Sequence, residues 1–382
     1  MRKLRSNIKI ITLCGFYAIL ETRQCTSLSP TTTPNSALKR NIDDSSYQIH
    51  HLARKSSARR RGSKSYQKAW RHWLQLSTDA IRTELSNILP HPVDQDELHD
   101  LSFSLGVAAD VGEMPSFENA GARSGYALDY FCRARLLADI FIDLDNPMSG
   151  YLKEECKLTS IGGGPGFDFV AAALVSVFNG AGVSEDIVPI QARILDYESG
   201  WSTLVKAMND ATKKVLSIED KMHCAWAGKC DITKSIYDKS NVNCLAVVDS
   251  TSYWTCQYCV AENAGKLKDS DYIFFRELFE AAANGAMFFI TETTPRLWPE
   301  IYDLIVQYNE DHDQTILKIH FPYMRGQQMI ISKSCISDDS NLQFISERDT
   351  KLLHNFKRYA QSHEELIESG WERQRKKTIP LI

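Results

Sequence analysis

No run of about twenty apolar residues occurs anywhere in this 382-residue chain. A helix crossing a bilayer needs that length, so an integral membrane protein is not expected. No Asn-x-Ser/Thr sequon is present either, which argues against a secreted glycoprotein. The ten cysteines show no disulfide-framework spacing; in a chain this long they read as buried free thiols of a reducing compartment. One CxxC occurs, Cys256 to Cys259, with no second pair at zinc-ribbon spacing. Two packed thiols are therefore expected there, and no metal. Internal repeats are also absent.

What is present is an ordinary globular composition, 43% apolar and 24% charged, enough for one large domain or two small ones. The net charge of −4 conceals an asymmetry. Residues 1–75 hold 15 of the 44 basic residues and 3 of the 48 acidic ones. A basic arm of net +12 thus precedes a body of net −16. Such an arm suits nucleic acid, an anionic membrane surface or a localisation signal.

The N-terminus begins "MRKLRSNIK", follows with the apolar "IITLCGFYAIL" and continues Ser/Thr-rich. It fits a signal-peptide core or part of a transit peptide; we expect an organelle address, mitochondrion or plastid, ahead of secretion. Residues 1–65 lack apolar periodicity and read as a disordered basic arm. Within it, "ARKSSARRRGSK" (53–64) is a solvated linker or localisation signal, with RNA contact as the alternative.

Order is expected from "SYQKAW" onward. Trp70, Trp73, Leu74, Ile81, Leu85 and Ile88 recur at helical spacing and Pro90 ends the run. Residues 66–150 form a helical region, including a second helix over 125–144. From 151 to 335 strands and helices alternate. Strands are expected at 158–161, 193–196, 224–230, 244–249, 286–291, 315–321 and 328–332. Helices are expected at 167–178, 200–216, 257–283 and 297–309. That alternation predicts a mainly parallel, doubly wound α/β sheet. Its last two strands differ: a short turn at Arg325 and Gly326 makes them a hairpin. Residues 336–382 are a C-terminal extension with a charged helix over 347–376.

The stretch "KLTSIGGGPGFDFVAAA" (157–173) carries the chemistry. Glycines between a strand and a helix let a backbone approach a ligand. A dinucleotide turn needs G-x-G-x-x-G; counted from Gly162 the sixth residue is Phe167, and from Gly164 it is Phe169. A phosphate loop would need Gly-Lys-Ser/Thr, which does not follow. The pattern that fits is G-x-G-x-G, as Gly162, Gly164 and Gly166.

That turn resembles motif I of class I S-adenosylmethionine (SAM)-dependent methyltransferases. The resemblance covers about 155 to 335. It implies a Rossmann-like seven-stranded sheet whose last strand is inserted antiparallel, and SAM as cofactor. It implies that Gly162, Gly164 and Gly166 meet the amino acid end of SAM. Asp196, ending the second strand in "ARILDYESGW", would accept from the ribose hydroxyls, with Glu198 as second choice. Asp231 and Ile232, in "GKCDITKSI", would lie near the adenine. Asp249, ending "CLAVVDS", would stand at the active-site edge as the candidate catalytic group. Each acid also has a plain role: Asp196 as a helix cap, Asp231 and Asp249 as turn residues. Tyr126, Tyr130 and Arg133 precede motif I, where core packing explains them equally well.

Because the sulfonium of SAM is already activated, positioning is the main demand, and acceptor motifs are sparse. The Asp/Asn-Pro-Pro-Tyr/Phe of base-amine methyltransferases is replaced here by "DSTSYW" (249–254), without the prolines. More distantly, 257–294 is similar to fungal large-subunit rRNA uridine-N3 methyltransferases, a SAM-dependent family. The matching residues are Glu262 and Asn263, then Gly285 and the strand 286–290; Pro165 departs from that family's alanine. This likeness implies RNA as acceptor, which a −16 body suits only if one face gathers its cations. Arg296 and Trp298 in "TPRLWPE" are candidates to grip substrate by charge and stacking, with a helix start and a packed Trp as the alternative. A small-molecule or protein acceptor, and a non-catalytic SAM-fold binding protein, remain open.

Overall fold

The structure is a computed structural model describing residue 49 and residues 64–111, 114–143, 155–180, 187–218, 220–322, 326–336 and 344–368. The apolar N-terminal segment and the basic stretch 53–63 lie outside them, as do Arg325 of the expected hairpin turn and the end of the last helix. None of the described helices is long and apolar enough to cross a membrane.

Seven strands form one sheet in the order β3-β2-β1-β4-β5-β7-β6. They are β1 (Cys156–Ile161), β2 (Ile190–Asp196), β3 (Met222–Lys229), β4 (Tyr253–Gln257), β5 (Met287–Thr291), β6 (Thr315–His320) and β7 (Gln328–Cys335). β1 pairs parallel with β2 and β4 parallel with β5, whereas β7 runs antiparallel to both β5 and β6. The fold is thus the Rossmann-like class I methyltransferase arrangement, with the closing hairpin turned back between β5 and the edge. Chain contacts separate two units, one holding Ser116–Gly228 and the helices before Phe103, the other holding Ser104–Pro115 and everything from Lys229 on.

In the first unit, α1 (Lys64–Asn87) packs on α6 (Ser202–Leu216), and α4 (Cys132–Asp143) packs on α5 (Phe167–Asn179). The apolar stripe of α1 meets α5 through Phe178, whose ring lies 4.9–5.6 Å from those of Tyr66, Trp70 and Trp73. Both indole N–H groups find acceptors: Trp70 donates to Asp139 Oδ1 at 2.6 Å, Trp73 to the Ile49 carbonyl at 3.0 Å. This anchors the N-terminal helix in the same core as the sheet. The helix expected over 125–144 is two helices, α3 (Ala120–Asp129) and α4. Tyr130 ends the first, its N–H closing back on the Tyr126 carbonyl.

The second unit corrects two expectations. Residues 244–249 are not a strand. They lie in a short helix, α7 (Val242–Leu245), and a 3₁₀ turn, Val248–Ser250. A five-residue apolar run suits either state; here it continues from a 3₁₀ turn, Lys239–Asn241, in helical conformation. Asp238 Oδ1 accepts from Ser240 N at 2.8 Å, and Thr251 Oγ1 donates to the Val247 carbonyl at 2.9 Å. The fourth strand is instead the aromatic and β-branched Tyr253–Gln257. The single helix expected over 257–283 is also broken. Gln257 belongs to β4, and α8 (Ala264–Asp269) and α9 (Ile273–Ala281) are separated at Asp271 and Tyr272, both at φ +53°.

Lys333 of β7 is buried and donates to the carbonyls of Phe279, Glu280 and Ala282 at 2.8–2.9 Å. It closes the C-terminal end of α9, where a cation also meets the helix dipole. Lys333→Met keeps the apolar stem but leaves three carbonyls without that donor. Urea denaturation is expected to show a loss of roughly 2–4 kcal/mol.

Candidate functional site

The first unit places the glycine turn at the carboxyl ends of β1 and β2. Gly162, Gly164 and Gly166 all have positive φ, at 61°, 50° and 94°, a region that side-chain-bearing residues rarely occupy. The turn closes by Gly166 N donating to the Gly163 carbonyl at 2.9 Å, and Gly163 N reaches the Leu195 carbonyl at 3.2 Å. Gly166 then caps α5 in the left-handed conformation. Asp168 in the first turn of α5 is buried and accepts from Ser160 Oγ, pinning the helix start to the strand.

Asp196 is brought to this turn. Its Oδ2 accepts from Gly164 N and its Oδ1 from Glu198 N, both at 2.9 Å. Glu198 Oε1 accepts from Gly200 N at 2.7 Å, which shapes the loop into the 3₁₀ turn Ser199–Trp201. Burial pushes the Asp196 carboxyl up to about 6 from an ordinary 3.8, against the opposing pull of the Glu198 and Gly164 N–H groups. The Trp201 ring stands over the glycines: a Cβ built on Gly164 would touch only that ring, at 3.8 Å. Phe117 and Tyr126 pack on the same indole, with ring centroids 5.3 and 5.6 Å away. Tyr126 stacks on Tyr130, and Arg133 lies 4.9 Å from the Tyr130 ring and donates to the Tyr126 hydroxyl.

In the second unit, Asp231 closes a turn. Its Oδ1 accepts from Thr233 N and Oγ1 at 3.0 and 2.6 Å, and its Oδ2 lies 3.4 Å from Lys234 Nζ. Asn241 clasps the same turn, accepting from Asp231 N at 2.7 Å and donating to the Asp231 carbonyl at 2.9 Å. Ile232 beside it is 7% exposed. Asp249 sits in the 3₁₀ turn that precedes β4. Its candidacy assumed a strand ending at that residue, so the position that assumption gave it falls away.

The carboxyl ends of β4 and β5 are tied together. Glu292 Oε1 accepts from Val260 N at 2.7 Å, and Arg296 Nη2 donates to the Ala261 carbonyl at 3.1 Å. Arg296 therefore folds back onto the loop after β4. Trp298 is fully buried and its indole N–H donates to the Gly326 carbonyl. It packs in the core at the start of α10 (Trp298–Asp311) and offers no stacking face on a rim. Cys259 Sγ donates to the Gln257 carbonyl at 3.1 Å, and the neighbouring Cys256 thiol together with burial raises it well above the usual thiol range. Asn263 donates to the Cys259 carbonyl at 2.8 Å, a loop-shaping contact.

From the sequence, Gly163, Asp168 and Trp201 do not stand out as parts of this turn. Gly163 falls between the motif positions, yet a Cβ there would lie 2.4 Å from Ser160 Oγ and 2.9 Å from Ile194 Cγ2. The cluster "GGG" carried that signal, because a third adjacent glycine answers a packing need rather than a turn.

No family model and no curated protein sequence matches this chain. Solved structures do resemble it. One is a magnesium protoporphyrin IX methyltransferase from Synechocystis PCC 6803 with bound SAM: 9% identity, 63% of this chain and 94% of that one covered, TM-score 0.34. Another is a class I SAM-dependent methyltransferase, so described provisionally, from Listeria monocytogenes: 10%, 83% and 99%, TM-score 0.31. A third is a point mutant of a 16S rRNA (adenine(1408)-N(1))-methyltransferase from Catenulisporales acidiphilia: 12%, 52% and 93%, TM-score 0.29. Agreement at this level carries no argument about function; the fold assignment rests on the strand order itself.

Two expectations follow from this geometry. An acid with a raised folded pKa favours the fold most when protonated. The Asp196 contribution is therefore complete below about pH 3.8 and is lost as pH rises through about 6. Asp196→Asn should flatten the pH dependence of stability over that window, measured by thermal melts in a buffer series. Gly163→Ala should cost about 1–3 kcal/mol by overpacking, read from chemical denaturation.

Proposed function

We propose that this protein is a SAM-dependent methyltransferase. The observation that carries the reading is the turn itself: three positive-φ glycines after β1, held by Gly164 N to the carboxylate that ends β2. The residues present suit such a cofactor. Within 4 Å of a Cβ built on Gly164 the described residues supply only the Trp201 ring, at 3.8 Å, so a ligand backbone can come close. Asp196 and Glu198 offer carboxylate oxygens beside the turn for a pair of hydroxyls, and the start of α5 favours an anionic group. Gly162, Gly164 and Gly166 would meet the amino acid end, Asp196 the ribose; Asp231 and Ile232 remain the adenine-side candidates from motif order. Bound SAM supplies an activated methyl group. The chain has then to hold the acceptor in line and keep water out.

For the acceptor, the reading put forward is RNA, supported by the likeness of the segment after β4 and by the basic arm. The net −16 of residues 76–382 favours the alternative, a small-molecule or protein acceptor. The same arm supports an organelle address.

Isothermal titration calorimetry with SAM is expected to show binding to the native chain and none to Gly164→Val, since a β-branched side chain there fills the open space and opposes φ +50°. Native-like SAM affinity in that variant, or no SAM binding by the native chain, removes the assignment. Mass spectrometry of bulk RNA with and without the protein should reveal a missing methyl mark. An unchanged profile rules out RNA and leaves the alternative acceptors.

A further inference from the structure

We infer that Arg123 is the residue that takes the carboxylate of the ligand held at the glycine turn. The inference rests on the cofactor reading above and names the charge partner of its amino acid end.

Arg123 lies in the first turns of α3 and is 7% exposed. A guanidinium so buried ordinarily meets a carboxylate, because an uncompensated buried charge costs several kcal/mol. None is in ion-pair range of Arg123 among the described residues. Among the described residues the guanidinium donates from one nitrogen, Nη1, to the carbonyls of Phe117 and Glu118 at 2.5 and 2.8 Å. Nε is buried and has no partner, and no bond from Nη2 accompanies those of Nη1. Two carbonyls orient the group without neutralising it. Glu198, the nearest acid in this loop by sequence, is turned to Gly200 N instead.

The position of the guanidinium ties it to the glycine turn. A Cβ on Gly200 would lie 2.3 Å from both Arg123 Cζ and Nη2. The guanidinium thus rests directly on the Gly200 backbone. The next residue, Trp201, is the one whose ring stands over Gly164. Phe117, which supplies one of the orienting carbonyls, packs on that same ring. Arg123, Gly200, Trp201 and Gly164 thus form one continuous wall. Along it sits a cation with unused donors and no counter-charge. Arg is the side chain suited to this task, since its fork offers two parallel donors to a carboxylate.

The test compares SAM with decarboxylated SAM, which lacks only the carboxylate. By calorimetry the native chain should prefer SAM. In Arg123→Met that preference should collapse: SAM weakens roughly 10- to 100-fold and decarboxylated SAM is unchanged. Arg123→Lys should recover part of the preference. Gly200→Ala, which displaces the guanidinium while keeping the residue, should reproduce the loss and covers the case in which Arg123→Met does not fold. Equal weakening for both ligands, or an undiminished preference in Arg123→Met or Gly200→Ala, overturns the assignment and makes Arg123 a structural cation. A native chain that binds neither ligand instead overturns the cofactor reading on which the assignment stands.

Discussion

Two neighbouring parallel strands end, and the chain must leave both without stranding their last backbone groups. In this protein one contact resolves the problem: Gly164 N donates to the carboxylate of Asp196 at 2.9 Å. The glycine turn after β1 and the loop after β2 are locked by that side chain together with the backbone bond from Gly163 N to the Leu195 carbonyl at 3.2 Å. That lock fixes the start of α5, with Asp168 buried under it against Ser160. It also fixes the 3₁₀ turn that carries Trp201 over the glycines. The requirement for positive φ at three positions follows, and so does the requirement for no side chain at Gly163, which is pressed onto Ser160 and Ile194.

The electrostatics of this corner are built from opposed groups that do not pair with each other. Asp196 accepts from two backbone N–H groups while burial raises it to about 6. Arg123 is oriented by two carbonyls and meets no acid among the described residues. A protein that needed these charges only for its own stability would gain by joining them. Under the cofactor reading proposed above, one would serve a ligand's hydroxyls and the other its anion. The aromatic lining from Phe117, Tyr126 and Trp201 lowers the local dielectric and strengthens both interactions.

The second unit uses its polar residues mainly to shape loops. Asp231, Thr233, Lys234 and Asn241 satisfy one another around a single turn. Glu292 and Arg296 tie the loops after β4 and β5. Lys333 closes a helix end with three carbonyls. Side chains that look like free functional groups in a sequence are here engaged with backbone. Arg296 and Trp298 illustrate the point: each is drawn inward by a carbonyl acceptor, Ala261 for one and Gly326 for the other.

Local pattern was sufficient for much of the fold. Short strand-length runs alternating with helical ones marked β1, β2, β3, β5 and the β6–β7 hairpin, and "GGGPG" between a strand and a helix marked the turn, because glycine spacing is itself a statement about φ. Asp196 was legible for the same reason, as an acid ending a strand about thirty residues later. Other features were decided only in three dimensions. The apolar run 244–248 and the run Tyr253–Gln257 suit a strand equally well, and only the folded chain places the first in helical turns and the second in the sheet. The burial of Trp298 depends on a carbonyl 28 residues away. Arg123 has no motif around it; that it lies across Gly200, with no acid beside it among the described residues, is visible only in the folded chain. A sequence shows which groups are charged, but which of them lack a partner is settled by contacts between distant segments.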